Sequence, residues 1–111
     1  MHEQANAMGH VNHKHQVIKG DIRQTLPIFF NENPNEIVSL AFFDVNSYAP
    51  TAEAFNQVWQ RLIPGGVVAF WQLTRKDIPA EGRFYSNEVL NSHKHKIYTA
   101  STYPGLCYIV K

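Results

Sequence analysis

The sequence has a single cysteine in 111 residues, so no disulfide can close within it. Cys107 lies in the strand-like run LCYIV, where burial as a small hydrophobe is the expectation. Long hydrophobic runs are also missing. No stretch approaches the roughly 20 apolar residues of a membrane-spanning helix, and the opening MHEQANAMGHVNHKH has no apolar core of the kind a secretory signal carries. Cytoplasm is therefore the expected location. Charge of one sign is scarce: 10 lysines and arginines oppose 9 aspartates and glutamates, for a net +1. Nucleic acids and anionic membranes draw on a basic excess, so neither is expected as a partner. Internal repeats are absent as well.

What remains is an ordinary globular composition, 44% hydrophobic and 17% charged, long enough to bury a core without a metal or disulfide staple. Residues 1–14 read as a polar, histidine-bearing tail and 15–111 as one domain. HQVIKG (15–20) predicts a first short strand, stopped by Gly20. DIRQTLPIFFNENP (21–34) has apolar residues at helical spacing, with Pro27 tolerable in a first turn that opens near Thr25 or Leu26. IVSLAFFD (37–44) is nearly all apolar, the pattern of a strand covered on both faces. In the next segment Phe55, Val58, Trp59 and Leu62 form a helical stripe. Pro64-Gly65-Gly66 is expected to end that helix. VVAFWQL (67–73) predicts another buried strand, 74–83 a loop and 84–92 a short helix. KIYTAST and LCYIV, joined through Pro104-Gly105, predict a closing hairpin. The alternation implies an α/β fold: a mostly parallel, Rossmann-like sheet with flanking helices and a carboxyl-terminal antiparallel hairpin.

In such a sheet ligands bind beyond the carboxyl ends of the strands. Three segments deliver polar residues there: Gly20-Asp21, then Asp44 to Tyr48, then Trp71-Gln72. Asp44, at the end of the most apolar strand, is either a site residue or the cap of the following helix.

The runs VIKGDIRQTLPIFF and LAFFDVNSYAPTAEAFNQVWQRLIPGGVVAF resemble the second half of a class I S-adenosylmethionine-dependent methyltransferase. The nearest likeness is to the macrocin-type group that O-methylates sugar hydroxyls. That group carries G-D-x-x-x-T-L-P, then D-x-D-x-Y after the fourth strand, then P-G-G and a strand ending in D-D. The resemblance covers about residues 15–111 and implies a truncated form of the methyltransferase fold. By the same resemblance Gly20, Asp21 and Ile22 border the adenine of the methyl donor, and Asp44 is the catalytic carboxylate beside the acceptor hydroxyl. Asn46, Tyr48, Trp71 and Gln72 lie near the acceptor.

The departures from the motif carry their own implications. Asn46 replaces the second aspartate of D-x-D, and Trp71-Gln72 replaces the aspartate pair. Magnesium needs several anionic oxygens, so no metal is expected. The glycine-rich turn that holds the donor's methionine has no counterpart before residue 16. The resemblance then implies only a partial S-adenosylmethionine site, acting on a sugar or other small-molecule acceptor. The alternative is a non-catalytic module that dimerises or binds through its sheet edge. Without the neighbouring strands of the parent fold, IVSLAFF is an apolar edge. Either HQVIKG pairs with it, or a second copy does, giving a homodimer. HKH occurs at His13–His15 and at His93–His95. Alternate residues of an extended chain share a side, so each pair is a candidate zinc or copper chelate, with solvated polar edges as the alternative reading.

Overall fold

The computed structural model describes residues 15–71, 73, 80–103 and 105–111. In chain order it has α1 (Ile22–Glu32), β1 (Val38–Phe43), α2 (Tyr48–Arg61), β2 (Leu62–Phe70) and α3 (Ala80–Phe84), then a π-helical segment (Tyr85–Val89), β3 (Lys96–Thr99) and β4 (Cys107–Val110). The sheet order is β1-β2-β4-β3. β1 and β2 run parallel, and both ladders of β4 are antiparallel. The sheet is therefore mixed. The strand expected at 15–20 does not form: these residues are exposed and have no regular structure. The pairing of HQVIKG with the apolar edge is thus overturned, and among the described residues β1 is the end strand of the sheet. A six-residue β-branched run offers too little apolar surface to repay the entropy of fixing it.

α1 begins earlier than the proline suggested. Asp21 is its N-cap and accepts from the Arg23 backbone N–H at 2.9 Å, which satisfies one of the orphan donors of the first turn. Pro27 therefore sits inside the helix. The helix closes at Asn33, whose backbone N–H and side-chain amide both donate to the Phe29 carbonyl, at 3.0 and 2.8 Å. Arg61, from the last turn of α2, ties the two helix ends together. Its guanidinium donates to the carbonyls of Phe30, Asn33, Pro34 and Glu36 at 3.1–3.2 Å and lies 4.6 Å from the Phe30 ring centre. The two helices consequently run in the same direction.

Pro64-Gly65-Gly66 does not end α2. The helix stops at Arg61, and Leu62 is already extended. The tripeptide instead makes an irregularity inside β2: Val38 pairs with Leu62, but Leu40 pairs with Val67. Gly65 takes φ +82° there, and a Cβ on Gly66 would come within 2.8 Å of the Ile63 carbonyl oxygen. Helix and strand are thus joined with no loop, and the glycines absorb the extra residues in the ladder.

The core lies between the helices and one sheet face. Phe55 is fully buried at its centre, with ring centres of Phe84, Trp59, Phe70 and Phe43 at 5.1–6.4 Å. Val68, Phe70, Cys107 and Ile109 supply the sheet side, so Cys107 is the buried small hydrophobe its context implied. The opposite sheet face, by strand alternation, carries Leu40, Phe42, Tyr98 and Tyr108. Leu40 and Phe42 are 65% and 56% exposed. The pattern IVSLAFF implied burial on both faces. The described helices cover only one.

Candidate functional site

The carboxyl ends of β1 and β2 lie side by side. Phe43 pairs with Phe70, and the Trp71 N–H donates to the Phe43 carbonyl at 3.0 Å. Asp44 follows directly, exposed at that rim. It does not cap α2, because the N-cap is Ser47. The Ser47 carbonyl accepts from the Thr51 hydroxyl at 2.6 Å and from the Thr51 N–H at 3.2 Å. Asp44 therefore does not serve as the N-cap of α2. Asn46 takes a left-handed conformation, φ +62°, which Asn adopts more readily than most residues and which turns the chain from strand into helix.

Tyr48 opens α2 at the same rim. Its ring packs edge-on against Phe84 at 6.1 Å, and its hydroxyl accepts from the Asn87 amide at 3.5 Å. A hydrogen bond to the Glu88 carboxylate raises the phenol above its ordinary value, with Asn87 acting in the opposite direction. Asn87 and Glu88 were not legible as site residues from sequence, where 84–92 read as one plain helix. The chain there is α-helical only to Phe84 and then widens into a π turn, closed by the Leu90 N–H on the Tyr85 carbonyl at 2.9 Å. Phe84 and Val89 are both buried. Five residues apart, they would point about 140° apart on an α-helix at ~100° per residue, and the wider turn brings them closer to one face. The same widening leaves Asn87 and Glu88 beside Tyr48. Such turns recur at functional sites. Of the loop expected at 74–83, Ala80–Arg83 is helical, and 74–79 lies outside the described residues.

Trp71 is 38% exposed and packs against Tyr103 at 4.7 Å and Phe42 at 6.1 Å. It forms an aromatic wall next to Asp44. Gln72 lies outside the described residues, so its expected place near the acceptor is not described.

Asp21 sits at the amino end of α1. Because α1 and α2 run the same way, that end faces the early turns of α2, and Arg23 feels the charge of Glu53 there. Asp21 and Asp44 therefore lie toward the same end of the sheet. Their circumstances differ. Arg23 grips the Asp21 carboxylate with its Nη2 at 2.8 Å and its Nε at 3.2 and 3.3 Å. That hydrogen bond is the largest cause holding the Asp21 carboxyl below the usual carboxylate range. Both oxygens already accept, so an adenine amino group would have to displace Arg23. Gly20, at φ +134°, turns the chain into α1, and a Cβ there would meet the Thr25 methyl at 2.9 Å. Ile22 packs on the core. Gly20, Asp21 and Ile22 thus build the start of a helix.

The histidine pair at 93–95 does not converge as a chelate. The His95 Nδ1 lies 2.6 Å from the His93 carbonyl, which can only accept, so Nδ1 carries the proton. Nε2 then accepts from the Tyr85 hydroxyl at 2.9 Å. The His93 ring packs instead against Trp59 and Phe55, at 5.1 and 5.4 Å. His13 lies outside the described residues. Among the described residues, no three His, Cys, Asp or Glu side chains gather as a metal site, and no helix is long and apolar enough to cross a membrane.

No known family profile matches the sequence, and no curated protein matches it. Solved structures do. An apo structure of CalS11, a TDP-rhamnose 3'-O-methyltransferase of calicheamicin biosynthesis, aligns with a TM-score of 0.81 and 29% identity, covering 98% of this chain and 46% of that one. A second CalS11 structure gives the same TM-score and identity over 42% of its length. An rRNA methylase from Streptococcus thermophilus aligns with a TM-score of 0.65 and 16% identity, covering 99% of this chain and 64% of its own, a likeness of fold alone. The chain thus spans less than half the length of the CalS11 structures. Its architecture is a class I S-adenosylmethionine-dependent methyltransferase-like fold, of which it forms part.

Proposed function

We propose that this chain supplies the acceptor side of an O-methyltransferase that modifies a hydroxyl of a sugar or other small molecule, with Asp44 as the proton acceptor. The single observation behind this reading is the likeness to CalS11, a TDP-rhamnose 3'-O-methyltransferase, over 98% of this chain. Local chemistry agrees with it. A hydroxyl whose pKa lies far above 7 becomes nucleophilic only as a base takes its proton. Asp44 is an exposed carboxylate without a capping duty. Tyr48, Asn46, Asn87 and Glu88 add donors and acceptors suited to a polyhydroxyl ligand. Trp71 offers an aromatic face for the apolar face of a sugar ring. S-adenosylmethionine is the methyl source of this fold family. The reading assigns this chain the acceptor and a weak edge for the donor.

The test is a titration of the isotopically labelled chain with TDP-rhamnose, followed by backbone amide shifts. Shifts gathered on Asp44–Tyr48 and Asn87–Glu88, weakened in Asp44→Ala, support the reading. No shift there at about 10 mM ligand refutes it. Calorimetry with S-adenosylmethionine tests the donor edge separately: binding lost in Asp21→Ala supports a residual site, and no heat at about millimolar donor removes it.

A second reading rests on a different observation. Among the described residues β1 is an edge strand with Leu40 and Phe42 exposed, and an uncharged apolar edge invites pairing with another strand. On this reading the chain is a non-catalytic module that self-associates through β1. A two-fold axis would set Leu40 and Phe42 against the same residues of the second copy.

A further inference from the structure

A cleft lies at the other end of the molecule. It has a volume of about 870 Å³ and is walled by Trp59, His93, Lys94, Lys96, Val110 and Lys111, with Ser92 and His95 completing the lining. β4 runs antiparallel to β2, and Val110 pairs with Val67. The Lys111 N–H donates to the Gly66 carbonyl at 3.0 Å, and the Gly65 N–H to the Lys111 carbonyl at 3.1 Å. These contacts place the cleft at the amino end of β2, the end away from Asp44. None of the residues assigned to the acceptor rim borders it.

Its composition is one-sided. Three lysines and two histidines line it, with no acidic side chain. Among the described residues Lys94 and Lys96 have no carboxylate partner. The third lysine is already committed: the Lys111 ammonium donates to the carbonyls of Trp59 and Leu62 at 2.8 and 2.9 Å. It thereby offsets the negative end of α2, which would otherwise repel an anion, and it lies 5.2 Å from the Trp59 ring centre.

The walls are held in place before any ligand arrives. His93 is wedged on Phe55 and Trp59. His95 is fixed by its two hydrogen bonds, to the His93 carbonyl and the Tyr85 hydroxyl. Residues 93–96 are therefore pinned from the core side. Burial first, then His95 and Lys111, push the His93 imidazole below its ordinary value, so it presents a neutral ring. The outcome is an apolar wall of the Trp59 and His93 rings, next to two ammonium groups that no acidic side chain neutralises.

We propose that this cleft binds a small ring-bodied anion, its apolar body against the Trp59 and His93 rings and its sulfonate, phosphate or carboxylate held by Lys94 and Lys96. The volume falls within the ~300–1,000 Å³ of small-molecule sites. Pre-fixed walls spare a ligand the ordering entropy that a mobile loop would demand. The site is independent of the acceptor rim, and so is its test.

The probe is naphthalene-1-sulfonate, compared with its two halves, naphthalene and inorganic sulfate, each titrated into the labelled chain. The expected result is that amide shifts gather on Ser92–Lys96, Val110 and Lys111, and that the whole probe binds more tightly than either half. Lys94→Glu with Lys96→Glu should weaken it on the order of tenfold, as two exposed charge contacts are reversed. Both lysines are exposed, so this variant keeps the fold, and its thermal unfolding curve checks that. Four results would overturn the proposal: shifts centred on Leu40, Phe42 and Tyr98; equal affinity in the double variant; naphthalene binding as tightly as its sulfonate; or no shift at about 10 mM probe.

Discussion

Removing the Arg61 guanidinium should cost this small domain a large part of its stability. The group makes four hydrogen bonds to carbonyls of Phe30, Asn33, Pro34 and Glu36, and three of them share one nitrogen. We therefore count about two effective bonds. A hydrogen bond to a charged group contributes about 1.5–3 kcal/mol when sheltered. Here only the bond to Phe30 is part-buried, so about 1 kcal/mol each is the appropriate scale, near the value for neutral bonds. The ring contact with Phe30 adds ~0.5–1 kcal/mol. The sum is roughly 2–3 kcal/mol for Arg61→Ala, from a total that for domains of this size is ~5–15 kcal/mol. At about 4 °C per kcal/mol, the melting temperature should fall by roughly 8–12 °C. Urea unfolding should show a lower midpoint at unchanged slope. Arg61→Met separates causes, because it keeps the aliphatic stem and loses the fork. Met should be nearly as damaging as Ala. A loss under ~0.5 kcal/mol in Ala, within the range of ordinary surface substitutions, would refute the reasoning. Full rescue by Met would shift the credit from the hydrogen bonds to stem packing.

Two further outcomes follow from the same geometry. Phe42→Lys should dissolve any self-association, because a charge at the centre of the β1 edge opposes strand pairing; sedimentation showing wild type as a lone 12.7 kDa species at high concentration would dispose of the edge interface outright. The pKa of His93 is lower folded than its ordinary 6.5, so the unfolded chain takes up the proton first. Its contribution to stability is then complete above that value and declines as pH falls through it toward the folded pKa. Urea midpoints measured between about pH 8 and 5 should decline toward acid, less steeply in His93→Leu. An identical slope in the variant would show that other groups carry the dependence.

Much of the fold was written locally. Phe55, Val58 and Trp59 are spaced for one helix face, and that face meets the core. The alternation in LCYIV buries Cys107 and Ile109 together. Asp44 at the end of an apolar strand marked the rim, because a strand's last residue before a helix emerges at the sheet's carboxyl end wherever the strand sits. These features depend on the period of the backbone and the polarity of single residues, both readable in order along the chain.

Other features depended on partners distant in sequence. Asp21 and Asp44 look alike in sequence, yet one is a cap gripped by Arg23 and the other is not, because Ser47 holds the cap position of α2. Pro64-Gly65-Gly66 reads as a helix stop, but β1 and β4 draw it into a sheet ladder. Asn87 and Glu88 reach Tyr48 only because Phe84 and Val89 both need the core, which forces a wide turn. The cationic cleft joins Trp59 to residues 92–111, across dozens of positions. The sequence alone therefore determined the alternation of elements and the carboxylate at the strand's end. Tertiary packing decided which polar groups are consumed by structure and which stay exposed. The reason is that hydrogen-bond partners and burial are properties of neighbours in space, which local periodicity does not encode.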